Sequence, residues 1–318
     1  MERITVFDTS ICSENVGDEI IMDCVYKQLR DIFKNTGFLK VPTHERISKI
    51  SFLRMKKSKI GIVGGTNLLS MSMRYPINQW NIHLPQALKL KDTVLMGVGA
   101  NNYSVKTDFY SKLVYKHALS KNYIHSVRDE LTLRRMKELG ITNVINTGCP
   151  TLWSLTKEFC ETIPKKKAEN VVCTFTDYGI DKEKDLYLTK ILLENYKNVY
   201  CWIQGSNDYE YVKSLSDKFI FISPHLEDYD ELLESNIELD FIGTRLHAGI
   251  RALQKGRRSI IISIDNRARE MGKDYSLPVL EREDISQLEQ LIYSDFKTNI
   301  QINEKNINIW KQQFIDKE

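Results

Sequence analysis

Glu238-Leu-Asp-Phe-Ile-Gly-Thr-Arg-Leu-His-Ala-Gly-Ile-Arg-Ala-Leu-Gln-Lys-Gly256 joins a strand, a turn and a helix. Leu239, Phe241 and Ile242 predict a short buried strand. Gly243 and Thr244 make the turn, with Thr244 as the expected helix N-cap. Leu246, Ile250 and Leu253 recur at helical spacing, and Gly256 suits the left-handed position beyond the helix end. Arg245, Leu246 and His247 therefore fall in the first helical turn, at the carboxyl end of a strand, where open α/β sheets bind ligands. Free backbone N–H groups favour an anion there. Arg245 adds a forked donor for phosphate or carboxylate, and His247 a group that titrates near neutral pH. The plainer alternative makes Arg245 a surface cation and His247 a structural histidine.

The same alternation extends outward. Strands are predicted at 171–175, 199–203, 219–222, 239–242 and 259–264, with helices at about 182–196, 208–216, 228–235, 245–255 and 284–295. This predicts a parallel sheet with right-handed crossovers. Asp265 and Arg267 follow one strand as an acidic-then-basic turn; Gln204 and Gly205 follow another, and these two are either site or plain turn residues. The proline and lysine run at 162–170 is the expected boundary between two halves.

The first half opens with a strand at Ile4, Val6 and Phe7. A loop and a helix over about 18–34 follow, with Asn15, Gly17 and Asp18 at the turn; Asp18 also suits a simple helix terminus. Ile60 to Val63 predicts a buried strand, and Gly64-Gly65 permits a backbone path close to a ligand. No Gly-Lys-Ser/Thr or G-x-G-x-x-G pattern follows, so neither a Walker loop nor a nicotinamide cofactor is indicated. Further elements are the strand at Val94–Gly99, a helix over 106–120 and the strand at 123–127. Arg128 and Asp129 then open a helix ending at Gly140. Arg128 is either an anion contact or an ion-pair partner of Asp129 or Glu130. The tail, 303–317, reads as a helix carrying Ile307, Trp310 and Phe314, expected to pack across both halves.

Composition sets bounds. The chain has 318 residues, which favours two domains. Its hydrophobic fraction is 42% and its net charge +3, too small to argue for nucleic acid. No signal peptide or spanning helix is expected. Six scattered cysteines without a C-x-x-C pair argue against zinc and for a reducing, cytoplasmic setting.

Several of these segments, in order, resemble the polysaccharide pyruvyl transferase family: Asn15-x-Gly17-Asp18, Gly64-Gly65, Ser126-Val-Arg-Asp129 with Leu139-Gly-Ile and Thr147-Gly-x-Pro150, Thr244-Arg-Leu-His247, and Asp265-x-Arg267. The departures are Thr9-Ser-Ile-Cys-Ser13 in place of a glycine-rich lead-in, Thr66 in place of a third glycine, Cys149 in place of an aspartate, and Arg267 in place of a lysine. The resemblance implies two Rossmann-like domains facing a central cleft, as in the GT-B glycosyltransferases: residues 1–162 on the acceptor side, 163–302 on the phosphoenolpyruvate side, and 303–318 as a helix across them. It implies transfer of a pyruvyl group from phosphoenolpyruvate to a saccharide, free or lipid-linked, forming a cyclic ketal without cofactor or metal. Arg128, Arg245, Leu246, Arg267, Thr244, Asn15, Gly17, Gly64 and Gly65 would bind substrates. His247 would act as general acid, and Asp18 would position or deprotonate a hydroxyl. Trp80, Tyr103, Tyr178 and Trp202 are candidates to stack on sugar rings. A homo-oligomer and a peripheral place at the inner membrane face are compatible with this reading. The alternatives are a two-domain glycosyltransferase using a nucleotide sugar, and a non-catalytic saccharide-binding relative.

Overall fold

A computed structural model describes residues 1–74, 78–101 and 106–315. Tyr103 and the last residues of the tail lie outside that range. The chain divides into two compact units: Met1–Ser13, Ile21–Trp153 and Asn303–Glu318 in unit one, Glu14–Ile20 and Ser154–Ile302 in unit two. Unit two thus begins at Ser154, ahead of the expected boundary, and takes in the loop and first helical turn at 14–20.

Unit one is built on β1 (Arg3–Asp8), β2 (Gly37–Pro42), β3 (Gly61–Gly64), β4 (Thr93–Met96), β5 (His125–Val127) and β6 (Val144–Asn146). The first four form a parallel sheet in the order β2-β1-β3-β4, and β5 pairs with β6. Past the end of β4, Val98 N–H donates to Ser126 O and Arg128 N–H donates to Val98 O, joining the β5–β6 pair to the sheet. The helix Gly17–Ile32 runs on from unit two into unit one, where Ile21, Val25 and Leu29 are buried. The core includes Phe7 edge-on to Trp80 (5.7 Å), so Trp80 is packing, not a sugar platform. The C-terminal helix Glu304–Ile315 fixes itself to this unit. Trp310 meets Trp153, Phe314 stacks on Tyr123, and the Gln313 amide bonds both backbone groups of Ile124.

Unit two carries β7 (Asn170–Cys173), β8 (Val199–Trp202), β9 (Ile220–Ile222), β10 (Leu239–Gly243), β11 (Ser259–Ser263) and β12 (Val279–Glu281). All pairs are parallel, in the order β12-β11-β10-β7-β8-β9. The strand order reverses between β7 and β10, the arrangement that opens a ligand crevice in dinucleotide-binding sheets. Unit one reverses between β1 and β3, so the two units are not copies of one topology. The helix Leu246–Gln254 has every residue from Leu246 to Leu253 buried. Gly249 is obligatory there, because a Cβ would overlap Ile261 and Phe241. Trp202 lies flat on Tyr229 (4.0 Å) in the core and is likewise removed from sugar contact.

Three elements lie where the sequence analysis placed no strand or helix. β12 is short and half-buried, and β2 alternates weakly between a glycine and a proline. The turn at Asp265–Arg267 leads directly into the helix Asn266–Tyr275, capped by Asp265.

Candidate active site

Unit two places its chemistry where the strand order reverses. Thr174 follows β7 and Thr244 follows β10. Thr244 N–H donates to Thr174 O (2.9 Å), its hydroxyl donates to the same oxygen (3.3 Å), and Arg245 N–H donates to Thr174 Oγ1 (3.3 Å). Thr244 is therefore not the helix cap; it ties two neighbouring strand ends together. The N-cap is Arg245, with extended backbone (φ −93°, ψ 107°) and no side-chain cap bond. Arginine has no acceptor, so it cannot satisfy first-turn N–H donors as serine or aspartate would. The helix start retains its affinity for an anion.

The Arg245 side chain is 4% exposed and held on several sides. Nε donates to Phe175 O (3.3 Å). Nη2 donates to both Asp208 oxygens (2.5 and 2.6 Å) and reaches Asp177 at 3.5 Å. Nη1 makes no hydrogen bond to the described residues. Asp208 also accepts the N–H groups of Gly205 (2.8 Å) and Asp177 (2.9 Å). Burial pushes its carboxyl up, against the pull of Arg245 and those two donors. Gly205 is required because a Cβ would run into Arg245 Nη2 and the Asp208 carboxylate.

Tyr178 links this arginine to the next loop. Its ring lies 5.0 Å from the Arg245 guanidinium and 5.8 Å from that of Arg267. Its hydroxyl accepts from Arg267 Nη2 (2.6 Å). Arg267 also pairs with Asp265, the cap of its own helix. Burial alone would raise the Asp265 carboxyl, but Arg267 and the Arg267 and Ala268 backbone donors outweigh it and hold it below the usual range. Three carboxylates (Asp177, Asp208, Asp265) face two guanidiniums. The group offers directed donors rather than a net positive field. His247 sits in the first helical turn beside Leu246, and both are buried.

The loop at 14–18 belongs to this same unit. Asn15 bridges antiparallel to Gly205, and Val16 N–H donates to Gln204 O (3.0 Å). Asn15 Oδ1 accepts from Gln204 Nε2 (2.7 Å) and from Gly17 N–H (3.1 Å). A Cβ on Gly17 would overlap Gln204 Nε2, so this glycine serves a close approach of two chain segments. Asp18 follows, buried, in the first turn of its helix. Asn15, Gly17 and Asp18 thus reach the end of β8, whose Gly205 touches Arg245. Asp208, Asp177 and Thr174 were not legible as site residues. Gln204 was, as one of two readings.

The unit-one candidates stand differently. Arg128 is fully buried, paired with Asp129 (3.1 Å) and donating to Asn67 Oδ1 (2.6 Å), its guanidinium resting on Gly99. The structure thus gives it the ion-pair alternative. Gly64 and Gly65 make room for a helix: a Cβ on Gly65 would overlap Ile21, and one on Gly64 would crowd Val25 and Met22. Gly65 and Thr66 are both left-handed (φ 51° and 49°). Cys149 is buried, and burial pushes its thiol up despite Thr151 and Arg128, which does not suit a nucleophile.

Solved structures with this fold include a UDP-GlcNAc 2-epimerase from Neisseria meningitidis bound to UDP-GlcNAc. It is 12% identical, with all of both chains covered and a TM-score of 0.51. Arabidopsis thaliana UGT89C1 complexed with UDP-L-rhamnose is 9% identical, over 98% of this chain and 93% of that chain, with a TM-score of 0.47. At such identities the first likeness is one of fold alone, a GT-B-like α/β architecture, and the second carries no argument. No curated protein sequence matches the chain. No described helix is long and apolar enough to cross a membrane. The family model for polysaccharide pyruvyl transferase matches residues 15–266, from the Asn15 loop to the turn after β11, and the chain belongs to that family.

Proposed function

We propose that this protein transfers the enolpyruvyl carbons of phosphoenolpyruvate to a saccharide, forming a cyclic pyruvate ketal and releasing phosphate. One observation carries the reading. Arg245 Nη1 is unpartnered among the described residues, at the start of a helix whose N-cap side chain makes no cap hydrogen bond. Such donors suit the phosphate or carboxylate of phosphoenolpyruvate.

In this scheme Arg245 and the Leu246–Ala248 backbone hold the phosphate, and Arg267, fixed by Asp265 and Tyr178, meets the carboxylate. His247 protonates the methylene carbon. A sugar hydroxyl, positioned by Asp18, adds to the adjacent carbon and gives up its proton. The carbon–oxygen bond to phosphate then breaks, and a second hydroxyl closes the ketal. One phosphoenolpyruvate and one diol yield one ketal and one inorganic phosphate, with no redox step.

The test is thermal unfolding with phosphoenolpyruvate, inorganic phosphate and UDP-sugars. A ligand at ~100 times its Kd stabilises by about 2.7 kcal/mol. Phosphoenolpyruvate should raise the Tm beyond phosphate, and Arg245→Lys, which keeps a charge against Asp208 but loses Nη1, should bind it about tenfold more weakly. Stabilisation by a UDP-sugar alone would transfer the reading to glycosyl transfer.

A further inference from the structure

Unit one carries a cavity of about 630 Å³ that the proposed chemistry does not use. Its floor is formed near the amino ends of the central strands, at Thr5, Gly61 and Thr93. That is the end of the sheet opposite the Gly65 loop. Its walls are the helix Lys49–Met55 and the turn at 88–91.

Both walls are amphipathic in an unusual sense. The helix Lys49–Met55 has no buried residue. Ile50 and Leu53, one turn apart, are 62% and 61% exposed, and Leu88 is 59% exposed. Lys49, Lys56, Lys89 and Lys91 stand around them, all exposed. Arg54, Lys57 and Lys59 extend the basic rim, and neither 49–59 nor 84–91 contains an aspartate or glutamate. Among the described residues, the one acid paired with this rim is Glu2, 3.6 Å from Lys59.

We infer that this face docks reversibly on an anionic lipid bilayer, with Ile50, Leu53 and Leu88 entering the headgroup layer and the lysines meeting lipid phosphates. The composition selects this occupant. Protein interfaces are depleted in lysine, whereas elements that lie in a membrane surface surround apolar side chains with lysine and arginine. Basic residues near an anionic leaflet add attraction that salt screens. Seating the amino ends of the unit-one strands on the bilayer would turn their carboxyl ends away from it.

The test is flotation of the full chain with vesicles of phosphatidylcholine alone and of phosphatidylcholine mixed with phosphatidylglycerol. Binding to the mixed vesicles only, reduced by salt, is expected. Ile50→Ser/Leu53→Ser and Lys56→Glu/Lys57→Glu change exposed side chains, so circular dichroism should match the parent. Each should weaken partition at least about tenfold. Equal partition to both vesicle types, no partition, or unchanged partition of both variants would overturn the inference. So would a dimer in gel filtration that Ile50→Ser/Leu53→Ser turns to monomer without any vesicle binding. None of these outcomes bears on phosphoenolpyruvate binding, which is measured without lipid.

Discussion

Replacing Arg245 by alanine tests the electrostatic logic of unit two directly. Asp208 is 1% exposed and loses its only charged partner at hydrogen-bond distance among the described residues. Breaking one side of a buried ion pair costs about 3–5 kcal/mol. Asp208 keeps two backbone donors, from Gly205 and Asp177, so the low end, about 3 kcal/mol, is expected. The cost depends on pH. Without Arg245, burial raises the carboxyl further above its unfolded value. A raised folded-state pKa means the native state binds the proton more readily, so the penalty is largest at neutral pH and shrinks on acidification. Urea unfolding followed by tryptophan fluorescence, with Trp202 in the same unit, measures this at pH 7.5 and pH 5. Adding Asp208→Asn to Arg245→Ala removes the stranded charge and should restore more than half of the loss. A single variant within about 1 kcal/mol of the parent at neutral pH, or a double variant no more stable than the single, would refute the reasoning.

Other outcomes follow from the geometry. His247→Gln should lower turnover by at least ~10² while leaving the circular dichroism spectrum unchanged; full activity in steady-state phosphate release removes the residue from the chemistry. Gly65→Ala combines a φ of 51° with an overlap on Ile21. It should destabilise unit one by about 1–3 kcal/mol, partly relieved by Ile21→Ala, as measured by urea midpoints. Buried His125 accepts the Leu95 N–H on Nδ1 and donates from Nε2 to Ser120 O, and burial lowers it to about 4 despite that last bond. Its unfolded form takes up a proton near pH 6.5 and the folded form does not, so stability is full above that pH and falls as pH drops through 6.5 toward 4. The loss is up to about 3 kcal/mol; a flat Tm between pH 7 and pH 4.5 would contradict it.

The alternation of strands and helices in unit two was legible because each strand is a short apolar run with a turn residue at its end, as at Gly243 and Gly205. The partners of the arginines were not legible. Asp208 lies 37 residues from Arg245 in sequence, opens an unremarkable amphipathic helix, and reads there as a surface acid. The Gly64-Gly65 pair is ambiguous for a related reason. A glycine marks close approach of something, and sequence does not say whether that is a ligand or, as here, the helix carrying Ile21 and Val25. Thr244 fits an N-cap pattern, yet the nearby end of β7 offers its hydroxyl a backbone oxygen instead. The placement of Asn15 beside Gln204, across 189 residues, has no local signal at all.

Neither unit is a continuous piece of chain, and that constrains how the protein is made. Unit two draws on residues 14–20, and unit one draws on residues from Asn303 onward. During synthesis the first unit's strands emerge early, but the Trp310–Trp153 and Phe314–Tyr123 contacts form only after all of unit two has been translated. A gene cut between Trp153 and Ser154 would yield two fragments, each lacking a segment encoded by the other. Unit one is therefore the last to be completed, and a chain terminated before Asn303 leaves the aromatic seat of Trp310 uncovered, the kind of exposed apolar surface that favours aggregation.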